Sequence, residues 1–213
     1  MAERGRFIVV EGLEGAGKST AIETIKNYLQ NCTADILLTR EPGGTRIGEI
    51  VRQLLKEKIE GETIDPRCEL LMLYAARVQL LEQVIRPALN KGHWVIADRF
   101  ELSSFAYQGG GRQLDLQMIS HLSDFCLGNF KPDLILFLDI SPEEGLNRVK
   151  KRGLSDRIEQ ESLAFFNRVY KGYQERIQSM NHVIRIDASQ PIERVQESIL
   201  SQLKTFVFPN ANH

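Results

Sequence analysis

Gly12-Leu13-Glu14-Gly15-Ala16-Gly17-Lys18-Ser19, with Thr20 next, has the glycine spacing and the closing Lys-Ser of a Walker A phosphate-binding loop. Gly12, Gly15 and Gly17 let the backbone curl so that successive N–H groups point inward at an anion. Lys18 has the charge and reach to bridge the β- and γ-phosphates of a nucleoside triphosphate, and the Ser19 hydroxyl suits a magnesium ion. A second cluster is Asp98-Arg99-Phe100, followed by Ser103, Ser104, Tyr107, Gln108 and the run Gly109-Gly110-Gly111-Arg112. The Arg99 guanidinium offers a planar fork that fits a dianionic phosphate better than an ammonium does. The third cluster, Asn147 to Arg157, is the most basic stretch in the chain. As an isolated charge run it would be a solvated helix end. Beside a phosphate site it can supply charge to a moving phosphoryl group.

Such groups act together only if the fold brings them to one place. Apolar runs alternate with amphipathic stretches, the pattern of a βαβ series. Phe7–Val10, Ile36–Thr39, Trp94–Ala97, Leu134–Leu138 and Val183–Ile186 read as five strands, rich in Val, Ile and Leu on both faces as parallel strands under helices are. Helical patterns cover Lys18–Gln30, Arg46–Lys58, Pro66–Asn90, Leu114–Leu127, Pro142–Lys151, Arg157–Met180 and Pro191–Phe206. The expected architecture is α/β: a three-layer P-loop NTPase fold, with a five-stranded parallel sheet flanked by helices, in one domain spanning 1–213. The polar tail 209–213 is expected to fray. In a parallel sheet the loops after the first three strands leave from the carboxyl edge, where ligands bind.

Composition narrows the partners. A net charge of −1 gives no whole-protein attraction to nucleic acid or to an anionic membrane. Cys32, Cys68 and Cys126 are too widely spaced for a zinc cluster or a disulfide framework, so they read as small buried hydrophobes. The first residues run into only four or five apolar ones, which fits neither a signal peptide nor a membrane span and points to a reducing, cytoplasmic setting. A GTPase would need Asn-Lys-x-Asp, and the nearest match, Asn90-Lys91-Gly92-His93, ends in an imidazole that cannot accept two hydrogen bonds from guanine. A motor ATPase would need an output domain for which 213 residues leave little room.

Residues 11–20, 39–45, 70–77, 98–112 and 148–159 together resemble thymidylate kinase, and the likeness runs from Phe7 to about Phe206. Arg40-Glu41-Pro42-Gly43-Gly44-Thr45, and Asp98-Arg99 with the following Tyr107, carry the resemblance most specifically. An acidic P-loop residue combined with a basic lid looks like the bacterial type. The resemblance implies transfer of the γ-phosphate of ATP to dTMP, with Mg2+, by a homodimer. It implies that Arg99 grips the acceptor phosphate, Glu14 accepts the deoxyribose 3′-hydroxyl and Arg77 contacts a thymine carbonyl. It further implies that Ser104 faces the pyrimidine edge, Tyr107 crowds the ribose 2′ position, and Arg40, Pro42 and Gln108 belong to the same acceptor site. Arg148, Arg152 and Arg157 then fall in a lid over 148–158, where Arg152 or Arg157 replaces the arginine that other members carry in the P-loop, with Gly153 as a hinge. Asp98 organises magnesium, directly or through water, or else Arg99; Asp139, which also ends an apolar strand, stays open as the Walker B carboxylate. One departure stands out: where the family commonly stacks a phenylalanine on thymine, four residues before Arg77, this chain has Leu73, with Phe100 and Phe105 as other candidates for that contact. A kinase for another nucleoside monophosphate and a nucleotide-dependent switch without phosphotransfer are the competing readings.

Overall fold

Each connection from one strand to the next passes through helix, so the strands can all run parallel. The computed structural model describes residues 4–32, 35–153 and 156–208. β1 (Phe7–Gly12) lies at the centre of a five-stranded sheet, between β3 (Trp94–Asp98) and β4 (Leu134–Asp139); β2 (Ile36–Arg40) and β5 (Val183–Asp187) form the edges. All six residues of β1 are buried, whereas β2 and β5 are partly open, with Leu38 44% exposed. Coverage on both faces therefore holds for the three inner strands only. Fully burying a Val, Ile or Leu side chain stabilises by about 1.5–3 kcal/mol, so Ile8, Val9 and Val10 fix the base of the phosphate loop firmly.

Register brings the chemistry together. Val10 is level with Asp98 on one side and Leu136 on the other, and Arg40 is level with Asp98. The loops after β1, β2 and β3 therefore leave from one edge. Two bonds extend the ladder past the strand ends: Arg99 N–H to Val10 O (3.0 Å) and Glu41 N–H to Asp98 O (2.9 Å).

Helix starts are explicit in the sequence. Thr45, Asp65, Asp115, Ser141 and Ser162 cap α2 (Arg46–Lys56), α3 (Pro66–Leu80), α6 (Leu116–Leu127), α7 (Pro142–Arg152) and α8 (Leu163–Ile177) by accepting backbone N–H groups. α1 (Lys18–Leu29) starts straight after Gly17 with no side-chain cap. α9 (Ile192–Val207) follows β5.

Three segments differ from the sequence pattern. The expected helix 66–90 is divided into α3, a π-helical turn Leu81–Ile85 and α4 (Arg86–Asn90). Pro87 cannot donate to the i→i−4 ladder, and Arg86 N–H reaches back to Leu81 O instead. The glycine-rich stretch after Arg99, which carries no helical pattern, is helical: α5 (Glu101–Ser104) leads into a π turn over Phe105–Gly111. Its glycines allow a helix to pass close, since a Cβ on Gly110 would lie 2.7 Å from Arg168 O on α8. The helix expected from Arg157 begins only at Leu163, because Asp156 first ties a turn by accepting from Ile158 and Glu159 N–H and Ser162 then sets the cap.

The cysteines are not the buried hydrophobes expected. Cys32 and Cys68 are exposed and Cys126 is half-buried, and all three are free. Position outweighs the average preference of the residue type, since Cys32 falls in the turn after α1 and Cys68 on an outer side of α3. The tail 209–213 and lid positions 154–155 lie outside the described residues.

Candidate active site

A cavity of about 700 Å³ opens at the carboxyl edge and is lined by Glu14, Gly15, Gly17, Lys18, Ser19, Asp98 and Arg99 at its phosphate-loop end. Gly15 has φ 76°, and a Cβ there would sit 2.2 Å from Gly145 O, so both the turn and the close approach demand glycine. Lys18 is half-buried. Its Nζ donates to Leu13 O (3.0 Å) and Gly12 O (3.3 Å), and burial together with nearby Arg99 lowers its pKa to about 8. The ammonium is thus folded onto its own loop, ready to exchange two carbonyls for phosphate oxygens. Gly12 and Leu13 lie beneath the loop, while Ala16, Gly17 and Thr20 border a second cleft described below.

Arg99 stands at the centre of a dense hydrogen-bond network. Its backbone has φ 69°, unusual for a side chain of this size. Nη2 donates to Glu14 Oε1 (2.8 Å) and Tyr107 OH (3.0 Å); Nη1 donates to Tyr173 OH (3.0 Å) and Ser103 Oγ (3.1 Å). Tyr107 OH in turn donates to Glu14 Oε2. Glu14, the acid in the P-loop, is therefore fully engaged by two residues expected at the acceptor. Charge balance explains it: the carboxylate neutralises the guanidinium that would otherwise be buried alone.

The far end of the cavity is lined by Leu73, Arg77, Phe100, Ser104, Tyr107, Gln108, Glu41, Pro42 and Glu69. Arg77 is 1% exposed. Its Nε donates to Glu41 (2.7 Å) and its Nη2 to Ser104 Oγ (2.9 Å), and its guanidinium carbon lies 4.5 Å from the Tyr74 ring centre. Burial pushes the Glu41 carboxyl up, against the pull of Arg77. Gln108 Nε2 donates to Glu69 (2.8 Å). A carboxylate only accepts, which fixes the amide orientation and leaves Gln108 Oε1 unpaired. Arg77 Nη1 is also buried and unpaired. Phe100 lines this end, whereas Phe105 packs with Leu70, Tyr74 and Ile119 in a separate cluster. Arg40 is not brought here: half exposed, it pairs with Glu49 (2.9 Å) on the surface. Strand alternation explains the outcome, since Glu41 turns inward where its neighbour turns out.

The two candidate carboxylates separate clearly. Asp98 lines the cavity beside Ser19, and its Oδ1 is buried without a partner. The Nη1 and Nη2 groups of Arg99 turn to other partners. Asp139 is held by Arg185 (2.6 Å) and Gln174 (3.3 Å) away from the cavity lining. No group of three or more His, Cys, Asp or Glu among the described residues forms a metal cage. An orphaned carboxylate oxygen beside the loop serine fits an ion that brings its other ligands as phosphate and water.

Of the basic run, Arg148, Arg152 and Arg157 all reach the cavity lining. Arg148 Nη1 approaches Gly15 O (3.4 Å). Arg152 is 62% exposed and pairs with Glu159. Arg157 is drawn inward, donating to Glu69 (2.6 Å) and Leu55 O (2.8 Å). Burial alone would raise the Glu69 carboxyl, but the hydrogen bonds from Arg112 and Arg157 win and hold it low. Gly153 ends α7 at φ 102°.

Sequence reasoning missed Glu11, Glu69, Arg52 and Tyr173. Glu11 had a signal, a lone charge at the end of the apolar run Phe7–Val10. Arg52, which lines the cavity and donates to Pro42 O (3.0 Å), and Tyr173 on α8 had none. Also missed was a second cleft of about 480 Å³ between Gly17, Thr20 and Arg148 on one side and Ser189, Gln190 and Ile192 on the other.

Comparison with known proteins accords with this arrangement. The sequence model of the family described as thymidylate kinase matches residues 10–199. A thymidylate kinase of Legionella pneumophila (strain Corby) is 55% identical over 206 residues, covering 97% of each chain. Another, from Legionella pneumophila (strain Paris), is 53% identical over the same span, again covering 97% of each. With the phosphate loop, the arginine beyond β3 and the closed polar pocket all within that span, the chain belongs to the thymidylate kinase family.

Proposed function

We propose that this chain transfers the γ-phosphate of ATP to dTMP, giving ADP and dTDP for dTTP synthesis. The observation that supports the choice of acceptor is the set of unpaired buried atoms at the far end of the cavity, Arg77 Nη1 beside Gln108 Oε1 and Glu41 Oε1. The guanidinium nitrogen can only donate, and the amide oxygen can only accept. Thymine offers a carbonyl beside an N3–H, the complementary order, which uracil and guanine share; cytosine and adenine offer an amino group beside a bare nitrogen and would set donor against donor. A site that leaves buried polar groups unpaired with the wrong partner discriminates strongly.

In this reading the acceptor phosphate lies on Arg99 and the deoxyribose on Glu14 and Tyr107, each exchanging contacts within the network for contacts with substrate. The donor phosphates lie in the loop against Lys18 and the uncapped start of α1, and the donor base takes the cleft beside Ser189 and Gln190. Ser19 and Asp98 would hold Mg2+, which supplies charge neutralisation on the donor phosphates. The attacking phosphate oxygen is already anionic near neutral pH, so no general base is needed, and catalysis is positioning and electrostatics. Lid closure over 148–158 excludes water.

Coupled assays across dTMP, dUMP, CMP, AMP and GMP test the acceptor: dTMP should lead, dUMP follow, and CMP and the purines fail. Equal turnover with AMP or GMP would sink it, and nucleotide binding without acceptor-stimulated ADP release would favour a switch.

A homodimer belongs to the proposal. Ile47 and Ile50 on α2, Leu71 on α3, and Met118 and Phe125 on α6 are exposed, Phe125 by 88%, and α3 packs against both α2 and α6. Light scattering should give twice the 24.3 kDa chain mass. A cytoplasmic setting is also proposed; no helix among the described residues is long and apolar enough to cross a membrane.

Substitutions at two positions probe the pocket. Tyr107→Ala should narrow the preference for dTMP over its ribonucleotide, by opening space at the 2′ position, and should also lower turnover, because Arg99 and Glu14 lose a partner. Tyr107→Phe should lower turnover while leaving the preference intact. An unchanged preference in Tyr107→Ala would move the selectivity elsewhere. Leu73→Phe should tighten dTMP binding by roughly three- to tenfold with little change for ATP, since ring stacking is worth about 0.5–1.5 kcal/mol. Equal or weaker binding by calorimetry would mean that Phe100 already covers the base.

A further inference from the structure

Three glutamates are buried near the cavity, and one of them differs from the others. Glu41 and Glu69 each bond an arginine directly. Glu11, at 0% exposure, meets its donors without one: Oε1 accepts from Phe100 N–H (3.0 Å) and Ser103 N–H (3.2 Å), and Oε2 from Ser103 Oγ (2.6 Å) and Tyr173 OH (2.9 Å). Burial pushes its pKa up, a cost for a carboxyl at the end of the central strand. The same two hydroxyls receive Arg99 Nη1.

We infer that Glu11 is a positioning residue for Arg99, acting through the Ser103 and Tyr173 hydroxyls and the Phe100 backbone. An ionised carboxylate only accepts, so the Ser103 and Tyr173 hydroxyls, whose oxygens lie 2.9 Å apart, direct protons to Glu11 and turn lone pairs to Arg99, which only donates. The order of donors therefore runs along two linked relays, arginine to hydroxyl to carboxylate. Oε1 braces the backbone at the same time. It holds the N–H of Phe100, the residue that follows the left-handed Arg99, while Val10 O holds the N–H of Arg99 itself. Glu14 and Tyr107 grip the other side of the guanidinium but belong to the substrate pocket and must yield to substrate. Glu11 lines no part of the cavity and keeps its grip when the acceptor arrives.

This inference rests on Arg99 as the acceptor-phosphate arginine, so the test starts there. Calorimetric titration of dTMP into Arg99→Ala should show a loss of at least about a hundredfold. Glu11→Gln brings an amide donor into the cluster and forces one hydroxyl proton towards Arg99. It should weaken dTMP binding about tenfold to hundredfold, the worth of one charged hydrogen bond, while ATP binding stays within about threefold of the parent. In the Arg99→Ala background Glu11→Gln should add less than about threefold, because its route runs through the missing arginine. Losses that multiply, or a Glu11→Gln protein that binds dTMP like the parent, overturn the inference. Unchanged binding by Arg99→Ala overturns it for a different reason, by removing the acceptor reading of Arg99. If Glu11→Gln does not fold, Tyr173→Phe and Ser103→Ala carry the test. Together they cut both relays and should approach the Glu11→Gln range, and a joint loss under threefold overturns the proposal.

Discussion

Lys18→Met should abolish phosphoryl transfer, with a fall of at least about a thousandfold, while circular dichroism stays that of the parent. Methionine keeps the length of the side chain and its helix-forming tendency and removes only the charge. The ammonium, at the edge of the cavity, already bonds two loop carbonyls, Gly12 O and Leu13 O. Phosphate oxygens offer better partners, and burial, which lowers the pKa to about 8, makes the bare lysine the more ready to take them. Losing it also leaves those carbonyls without a donor, so a slightly softer loop accompanies the loss of turnover. Normal circular dichroism with activity within tenfold of the parent would defeat the Walker assignment.

Strands were the most legible part of the fold. Runs of four or five residues rich in Val, Ile and Leu admit few other readings, and each expected strand matches the structure apart from one or two residues at its carboxyl end. Those extra residues, Glu11, Gly12, Arg40, Asp98, Asp139 and Asp187, continue the backbone ladder although their side chains no longer look like strand, and of them Asp98 lines the cavity. Helical widening was not legible. Three consecutive glycines argue against a helix by propensity, and only the close passage of α8 gives the π turn at Phe105–Gly111 a reason. Within the site, residues near a motif were easy to find and residues far from one were not. Tyr173 lies 162 positions from Glu11, and nothing local to either residue announces their bond. Arg40 shows the converse error: a motif places a residue along the chain, but its side chain still chooses a face.

Replacing Arg152 or Arg157 with alanine should lower turnover far more than it raises the Michaelis constant for dTMP. An arginine supplied to a transferring phosphoryl group is worth about 10³–10⁵ in rate, and at least one of the two should fall near that range. The structure then separates them by a second measurement. Arg152 is mostly exposed and among the described residues pairs with Glu159, so Arg152→Ala should leave thermal stability nearly unchanged. Arg157 holds the buried Glu69 and the Leu55 carbonyl. Its removal leaves Glu69 with Arg112 and Gln108 only, at a cost of about 1–3 kcal/mol, or roughly 2–10 °C in melting temperature for a chain of this size. A large loss of turnover in Arg152→Ala at constant melting temperature identifies a group that acts on the phosphate. A fall in melting temperature with modest loss of turnover in Arg157→Ala identifies one that anchors the lid to α3. The reverse pattern would mean that Arg157 leaves Glu69 during turnover, so that the ion pair in the free enzyme restrains the catalytic arginine. If both variants lose less than about tenfold in turnover, the lid covers the site without taking part in the chemistry.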